Sequence, residues 1–429
     1  MSGAEYGGDE VGAIVLDIGG YSTRAGYAGE DSPKADFPTI IGIAPSKSDD
    51  DVMETSNIQD TNKRDKLDYV VGTNYITAVR EGLELQSPIQ DGMIENWDLF
   101  EHLIDYVYNK VVKSEREYHP LMMTEPAWNA KAKRAQLTEL MFEKYQLPAF
   151  YLAKNAVLST FANARSTALV VDSGWEQTSV VPVHDGYALT QAIVRTPYGG
   201  RYISQRARNY LEKMSIDLTP ATHIAAKQIV KERLKPIYTL RKLPILTESY
   251  RDYMTDQLVA DFKSIITQIS EDKYDSEEIK RLPSLEYEFP TGYRCSFGAE
   301  RFELTEPMFS QEDTASMTLN SHQAIPEVVL SSGNACDTDI RSALFSSLVV
   351  VGGNSLLKGF TDRLVGEIRS KSSASKVHKC VTNNTTIERR FSSWIGGSIL
   401  ASLGTFQQMW ISKAEYEEHG KICVEKKCP

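Results

Sequence analysis

Two carboxylates are delivered in the same way at two places in the chain. Ala13-Ile14-Val15-Leu16-Asp17 runs into Ile18-Gly19-Gly20, and Ala168-Leu169-Val170-Val171-Asp172 runs into Ser173-Gly174. In each, an apolar run of strand type carries an Asp at its carboxyl end. The small residues that follow let backbone N–H groups approach an anion closely. A single Asp-Gly turn is also an ordinary hairpin signal. A third site, Ser347-Leu348-Val349-Val350-Val351-Gly352-Gly353-Asn354-Ser355, is a strand that runs into Gly-Gly and then a polar pair able to cap a helix. Such a helix start can hold the phosphate or ribose side of a nucleotide. In this order the three sites point to a duplicated architecture, with two phosphate loops facing one nucleotide.

The elements that must position these residues alternate between strand and helix. Trp97, Phe100, Leu103, Ile104, Val107 and Val111 recur at helical spacing, which predicts an amphipathic helix from Asn96 to Val111. Lys131 to Tyr145 reads as a second helix stopped by Gln146-Leu147-Pro148. Ala149-Phe150-Tyr151-Leu152 reads as a strand, followed by a helix from Asn155 to Ala164. Trp394 to Leu403 reads as a buried helix begun by the close approach of Gly396-Gly397. Polar stretches at Pro45 to Lys66, Ser270 to Arg281 and Ser310 to His322 read as surface connections. The fold class is therefore mixed α/β.

Bulk composition narrows the function classes. The chain has 429 residues, 41% of them hydrophobic, with no apolar run of about 20 residues to span a membrane. Its polar, acidic start lacks the pattern of a signal peptide, so secretion is not expected. Five scattered cysteines without metal-site spacing read as reduced thiols. The glycosylation triplets at Asn383 and Asn384 would then go unused. A formal net charge of -11 argues against broad attraction to nucleic acid. Arg369 to Lys379 is a local basic exception that reads as a solvated loop.

Over nearly its full length the chain resembles actin. The carriers are Arg24-Ala25-Gly26-Tyr27-Ala28-Gly29-Glu30-Asp31, Asp172-Ser173-Gly174, and Trp394-Ile395-Gly396-Gly397-Ser398 through Phe406-Gln407-Gln408-Met409-Trp410-Ile411-Ser412-Lys413. Tyr6 to Val11, Asn383 to Trp394 and the ending Cys423 to Pro429 are more similar to the fourth class of nuclear actin-related proteins, found in chromatin complexes. The resemblance implies a duplicated, actin-type nucleotide-binding fold of two lobes and four subdomains around a cleft. It places 1–38, 88–162 and 392–429 in subdomain 1, 39–87 in subdomain 2, 163–198 and 320–391 in subdomain 3, and 199–319 in subdomain 4.

The same resemblance assigns site residues. Asp17 and Asp172 would hold Mg2+ through its water shell. Gly19, Gly20, Ser173 and Gly174 would face the phosphates, Lys231 and Glu232 the base and ribose, and Gly352, Gly353, Leu357 and Arg390 the adenosine. Five departures bear on hydrolysis, which needs an oriented in-line water. Asn155 stands at the family's water-positioning glutamine and Ser179 at its partner histidine. Trp175 and Glu176 replace Asp and Gly in the second loop, and Tyr21 replaces a glycine in the first. The expectation is therefore no hydrolysis or very slow hydrolysis, with ATP, ADP or an empty cleft all left open.

Polymer contacts are altered at Asp49 to Lys66 and from Ser310 onward, so no homopolymer is expected. An apolar groove of Phe161, Ala162, Tyr187, Leu400, Leu403 and Met409 is retained, where the family accepts an amphipathic helix. The resemblance thus implies a nuclear, noncatalytic subunit of chromatin-remodelling and histone-acetyltransferase complexes. Its partners would be actin, a helical segment of the motor subunit, and histones or nucleosomes, with no membrane contact. The alternative reading is a cytoskeletal actin-like ATPase that forms or caps filaments. A sugar kinase or chaperone ATPase of the same superfold lacks, respectively, a substrate-activating base and a substrate-binding domain in this chain.

Overall fold

The computed structural model describes residues 12–45, 67–310, 322–371, 380–381 and 385–429. The expected surface connections at Pro45 to Lys66 and Ser310 to His322 fall mainly outside these residues. So do the N-terminal element, the glycosylation triplets' asparagines and most of the basic loop that ends at Lys379.

Two sheets built on one plan form the framework. The first has the order Ile411–Ser412, Ala149–Lys154, Leu121–Glu125, Ile14–Ile18, Ser22–Tyr27, Ala35–Pro38. The second has the order Tyr187–Ala188, Thr178–His184, Ala168–Ser173, Leu348–Val351, Cys380–Val381, with Val194–Thr196 added beside Thr178–His184. In each, the strand bearing the aspartate pairs antiparallel with the next strand and parallel with a later one. Asp17 thereby stands opposite Arg24, and Asp172 opposite Ser179. Ile14–Ile18 is buried at every position, as a central strand covered on both faces must be.

Each sheet has its own core. Ile14, Phe100, Met122, Phe150 and Trp394 belong to the first, and Leu169, Val180, Val328, Val350 and Phe360 to the second. Phe262, Tyr287, Phe289 and Phe297 centre a third cluster farther out on the second lobe. A small cluster joins Ala44, Ile76, Leu83 and Leu85 to Tyr250 and Met254, so the outer ends of the two lobes touch directly. Tyr250 Oη donates to the Thr77 carbonyl (2.8 Å), Ser249 Oγ accepts from the Leu85 N–H (3.1 Å), and Thr247 Oγ1 bonds the Leu83 carbonyl.

Three helices differ from their sequence-based expectation. The first is α-helical over Trp97–Tyr106, capped by Asn96, whose Oδ1 accepts from the Leu99 N–H (3.1 Å). It then widens into π-type turns over Val107–Val112 and stops where Lys113 turns left-handed at φ 56°. The second does the same, with Lys131–Glu139 regular, Leu140–Lys144 widened and Gln146 at φ 52°. The third does not begin at its glycines. It spans Ser392–Ser402, and Gly396-Gly397 sit in its middle, pressed against the Asn155–Ala162 helix and the first sheet. A Cβ on Gly396 would lie 1.9 Å from the Leu158 carbonyl oxygen, and one on Gly397 2.9 Å from Val15 Cγ1. Those glycines permit close packing, and Trp394 completes it by donating Nε1–H to the Val15 carbonyl (3.0 Å).

Candidate functional site

Between the lobes lies a cavity of about 840 Å³ lined by both aspartate loops and the third glycine site. Asp17, Gly19, Gly20, Asp172, Gly174, Gly352, Gly353, Leu357 and Arg390 all reach its wall, which brings together residues spread over most of the chain. Gly352 cannot be another residue. Its φ is 90°, and a Cβ there would meet the Ser173 carbonyl oxygen at 2.4 Å and Asp172 Oδ1 at 2.5 Å. Gly353 has open space where its Cβ would be.

Three expected site residues stand elsewhere. Lys231 and Glu232 do not line the cavity. Both are exposed beside the Arg294–Phe297 strand, where Glu232 Oε1 accepts from the Ser296 N–H (2.6 Å). Ser173 is fully buried, and its hydroxyl pairs with Thr178 Oγ1 (2.8 Å) and accepts from Asn354 Nδ2 (3.2 Å). The polar pair after Gly352-Gly353 also caps no helix. Asn354 Nδ2 ties the third glycine site to the second loop by donating to the Gly174 carbonyl (2.7 Å), and Ser355 Oγ donates back to Gly352 (2.7 Å).

Two cavity residues, Thr124 and Lys263, carried no recognisable signal in the sequence, and Arg24 stood out only as part of the family resemblance. Arg24 donates to Asp17 Oδ2 (2.9 Å), while Thr124 donates to the other oxygen (2.7 Å). Each carboxylate oxygen keeps a further lone pair for water. A row of alternating charge continues through Arg24 and Asp36 (3.5 Å) to Arg390 (2.6 Å), with both guanidiniums over the Phe391 ring. Lys263, from the Glu248–Ile266 helix, lies 5.1 Å from the Trp175 ring and donates to the Gly200 carbonyl (3.1 Å); burial lowers its pKa to about 8. Asp172 keeps some surface toward the cleft. Burial of the carboxyl and then the charge of Asp17 push its pKa up to about 6, with Arg24 pulling the other way.

The part of the cavity between the two aspartate loops is crowded by the chain's own side chains. The Tyr21 and Trp175 rings meet across the loops at 5.0 Å. Glu176 lies over Gly20, where a Cβ would stand 3.0 Å from its Cδ, and its Oε2 accepts from the Gly92 N–H (3.0 Å). Asn155 Oδ1 accepts from the adjacent Ala156 N–H (2.8 Å), and Ser179 is buried. The glycine-lined cavity wall fits a nucleoside, and the paired Asp17 and Asp172 suit a cation held through water. A terminal phosphate placed beside Gly20 would not fit, because Glu176 fills that space. Among the described residues no group of three or more His, Cys, Asp or Glu forms a direct metal cage.

On the outer surface, the Asn155–Ala162 and Ser392–Ser402 helices end side by side. Phe161, Ala162 and Leu400 are half-buried there, while Tyr187, Leu403 and Met409 are 60%, 45% and 37% exposed, so these six do not all disappear into a core.

The family model described as Actin matches residues 8–429. An Arabidopsis thaliana protein named Actin-related protein 4 is 38% identical over 443 residues, covering 99% of this chain and all of the relative. Proteins of the same name from Yarrowia lipolytica and Schizosaccharomyces pombe are 36% and 32% identical, covering 98% and 100% of this chain and 97% and 100% of their own lengths. With the duplicated sheets and the cleft between them, these matches make the chain a member of the actin family, of the actin-related protein 4 class.

Proposed function

We propose that this protein is a structural, non-hydrolysing subunit of nuclear chromatin-remodelling and histone-acetyltransferase assemblies. It pairs with monomeric actin on a helix of the motor subunit, lies near histones or nucleosomes, and uses any bound nucleotide with Mg2+ only as a brace between lobes. The observation that supports this reading best is the state of the phosphate end. Glu176, Tyr21 and Trp175 occupy it, and the amide oxygen of Asn155 is turned to its own helix start. So engaged, that oxygen would not orient an in-line water, and misplacing such a group by about 1 Å costs about 100-fold in rate. The exposed apolar rim of Tyr187, Leu403 and Met409 supports docking of an amphipathic helix.

The test is capture from nuclear extract by the intact chain and by Leu403→Asp, with the bound proteins identified and folding checked by circular dichroism. The intact chain is expected to recover actin and a remodeller motor subunit, and the folded variant to lose them. Recovery of filament components alone, or ATP turnover at the rate of polymerising actin, would return the protein to the cytoskeletal ATPase reading.

A further inference from the structure

Glu176 is placed as an internal anion between the two loops. Its carboxylate comes from the second-lobe hairpin that follows Asp172, yet it lies against Gly20 of the first-lobe hairpin and accepts the Gly92 N–H. It therefore spans the cleft where the two glycine loops converge. Neighbouring contacts hold it there. Asp91, next to Gly92, accepts from Arg195 Nη1 at 2.8 and 2.9 Å and from Gln177 Nε2 at 3.0 Å. Arg195 also lies 4.6 Å from the Trp128 ring, and Trp128 Nε1 donates back to the Asp91 carbonyl (3.1 Å). Asp91 and Gly92 both have positive φ, 52° and 72°, which turns this corner toward the second lobe. On the other side, the Trp175 ring is wedged between Tyr21 and Gly200 and is approached by Lys263.

We propose that Glu176 is a specificity-determining residue that takes the place of a terminal phosphate, so that the cleft accepts a nucleoside diphosphate in preference to a triphosphate. The inference rests on reading the cleft as a nucleotide site and goes further by naming which nucleotide it selects. Two effects act in the same direction. The side chain fills the space beside Gly20, and a second anion brought within a few ångströms of its carboxylate is repelled strongly in a partly dry site. A diphosphate has one phosphoryl group fewer to place beside that carboxylate, and the cavity wall at Gly352, Gly353 and Leu357 is built from other residues.

The test measures direct binding of Mg-ADP and Mg-ATP to the full chain by calorimetry, for the wild type, Glu176→Gln and Glu176→Gly. The wild type is expected to bind Mg-ADP at least tenfold more tightly than Mg-ATP. Glu176→Gln, which keeps the size and removes the charge, reduces that preference. Glu176→Gly removes both obstacles and abolishes it by tightening ATP binding with ADP binding little changed. Equal or tighter binding of ATP by the wild type overturns the proposal, as does an unchanged preference in both folded variants, or absence of binding to all three proteins. None of these outcomes bears on the capture of actin and motor subunit, so the docking reading stands or falls separately.

Discussion

Lys263 projects its ammonium between the Trp175 ring and the Gly200 carbonyl, and burial there lowers its pKa to about 8 from an ordinary 10.5. Because the folded value lies below the unfolded one, the unfolded chain binds more protons between those two values, and stability contributed at this site rises with pH across that window. Below about pH 8 the full cost of burying the charge is present. Lys263→Met is therefore expected to be more stable than the wild type near pH 7, with the gap shrinking by about 2 kcal/mol by pH 9.5. Urea unfolding of the two nucleotide-free proteins at both pH values checks this; a gap that widens with pH refutes it. Nothing in the sequence singles out Lys263, since it is one lysine on a 19-residue helix and becomes a cleft residue only when that helix docks. Asp17, Asp172 and Gly352 are legible because strand ends and glycine turns are local features. Lys231 and Glu232 show the reverse, since an adjacent acid–base pair carries no information about which surface it will face.

At the scale of elements, two helical glycines give opposite expectations for one substitution. Gly396 faces the Leu158 backbone, and Gly396→Ala would place a methyl 1.9 Å from a carbonyl oxygen that cannot step aside without moving its helix. A loss of about 3 kcal/mol or more is expected there. Gly366 lies on the exposed face of the Phe360–Lys371 helix with open space around its Cβ position, so Gly366→Ala is expected to gain about 0.5–1 kcal/mol. Thermal melts of both variants read out the contrast, and destabilisation by Gly366→Ala would refute it. The same helix carries Arg363, fully buried, with its guanidinium on Glu306 (2.6 and 3.1 Å), Glu367 (2.9 Å) and the Asp272 carbonyl (2.6 Å). Arg363→Ala leaves Glu306 buried beside a void. It is expected to cost about 3–5 kcal/mol, seen as a lower denaturant midpoint.

Across the whole molecule, the lobes are joined by their own side chains at several levels. Tyr250 and Met254 pack on Leu83 and Leu85 at the outer end, Tyr21 meets Trp175 and Glu176 meets Gly92 between the glycine loops, and Asp36 binds Arg390 at a further point. A cleft closed in this way already has its shape, so a nucleotide bound there braces the lobes without reshaping them. The radius of gyration by X-ray scattering is expected to be the same with and without Mg-ADP. Tyr250→Ala combined with Asp91→Ala, which removes the outer packing and the Arg195 bridge together, is expected to enlarge it. A nucleotide-dependent radius in the wild type would show that protein contacts alone do not hold the lobes.

By itself the sequence determined that the chain is α/β, that its aspartate loops are duplicated, and that it resembles actin. Strand runs, glycine turns and motif order are short-range properties that survive in a linear reading. Helix interiors were legible, but their widened ends were not, because Lys113 and Gln146 turn left-handed and neither residue type marks that backbone state in a sequence. Only the tertiary structure decided that Gly396-Gly397 lie mid-helix, that Ser173 is buried, and that Lys231 and Glu232 miss the cavity. It alone placed Glu176 on Gly20, because that contact joins residues far apart in the chain and exists only once the second lobe has docked against the first.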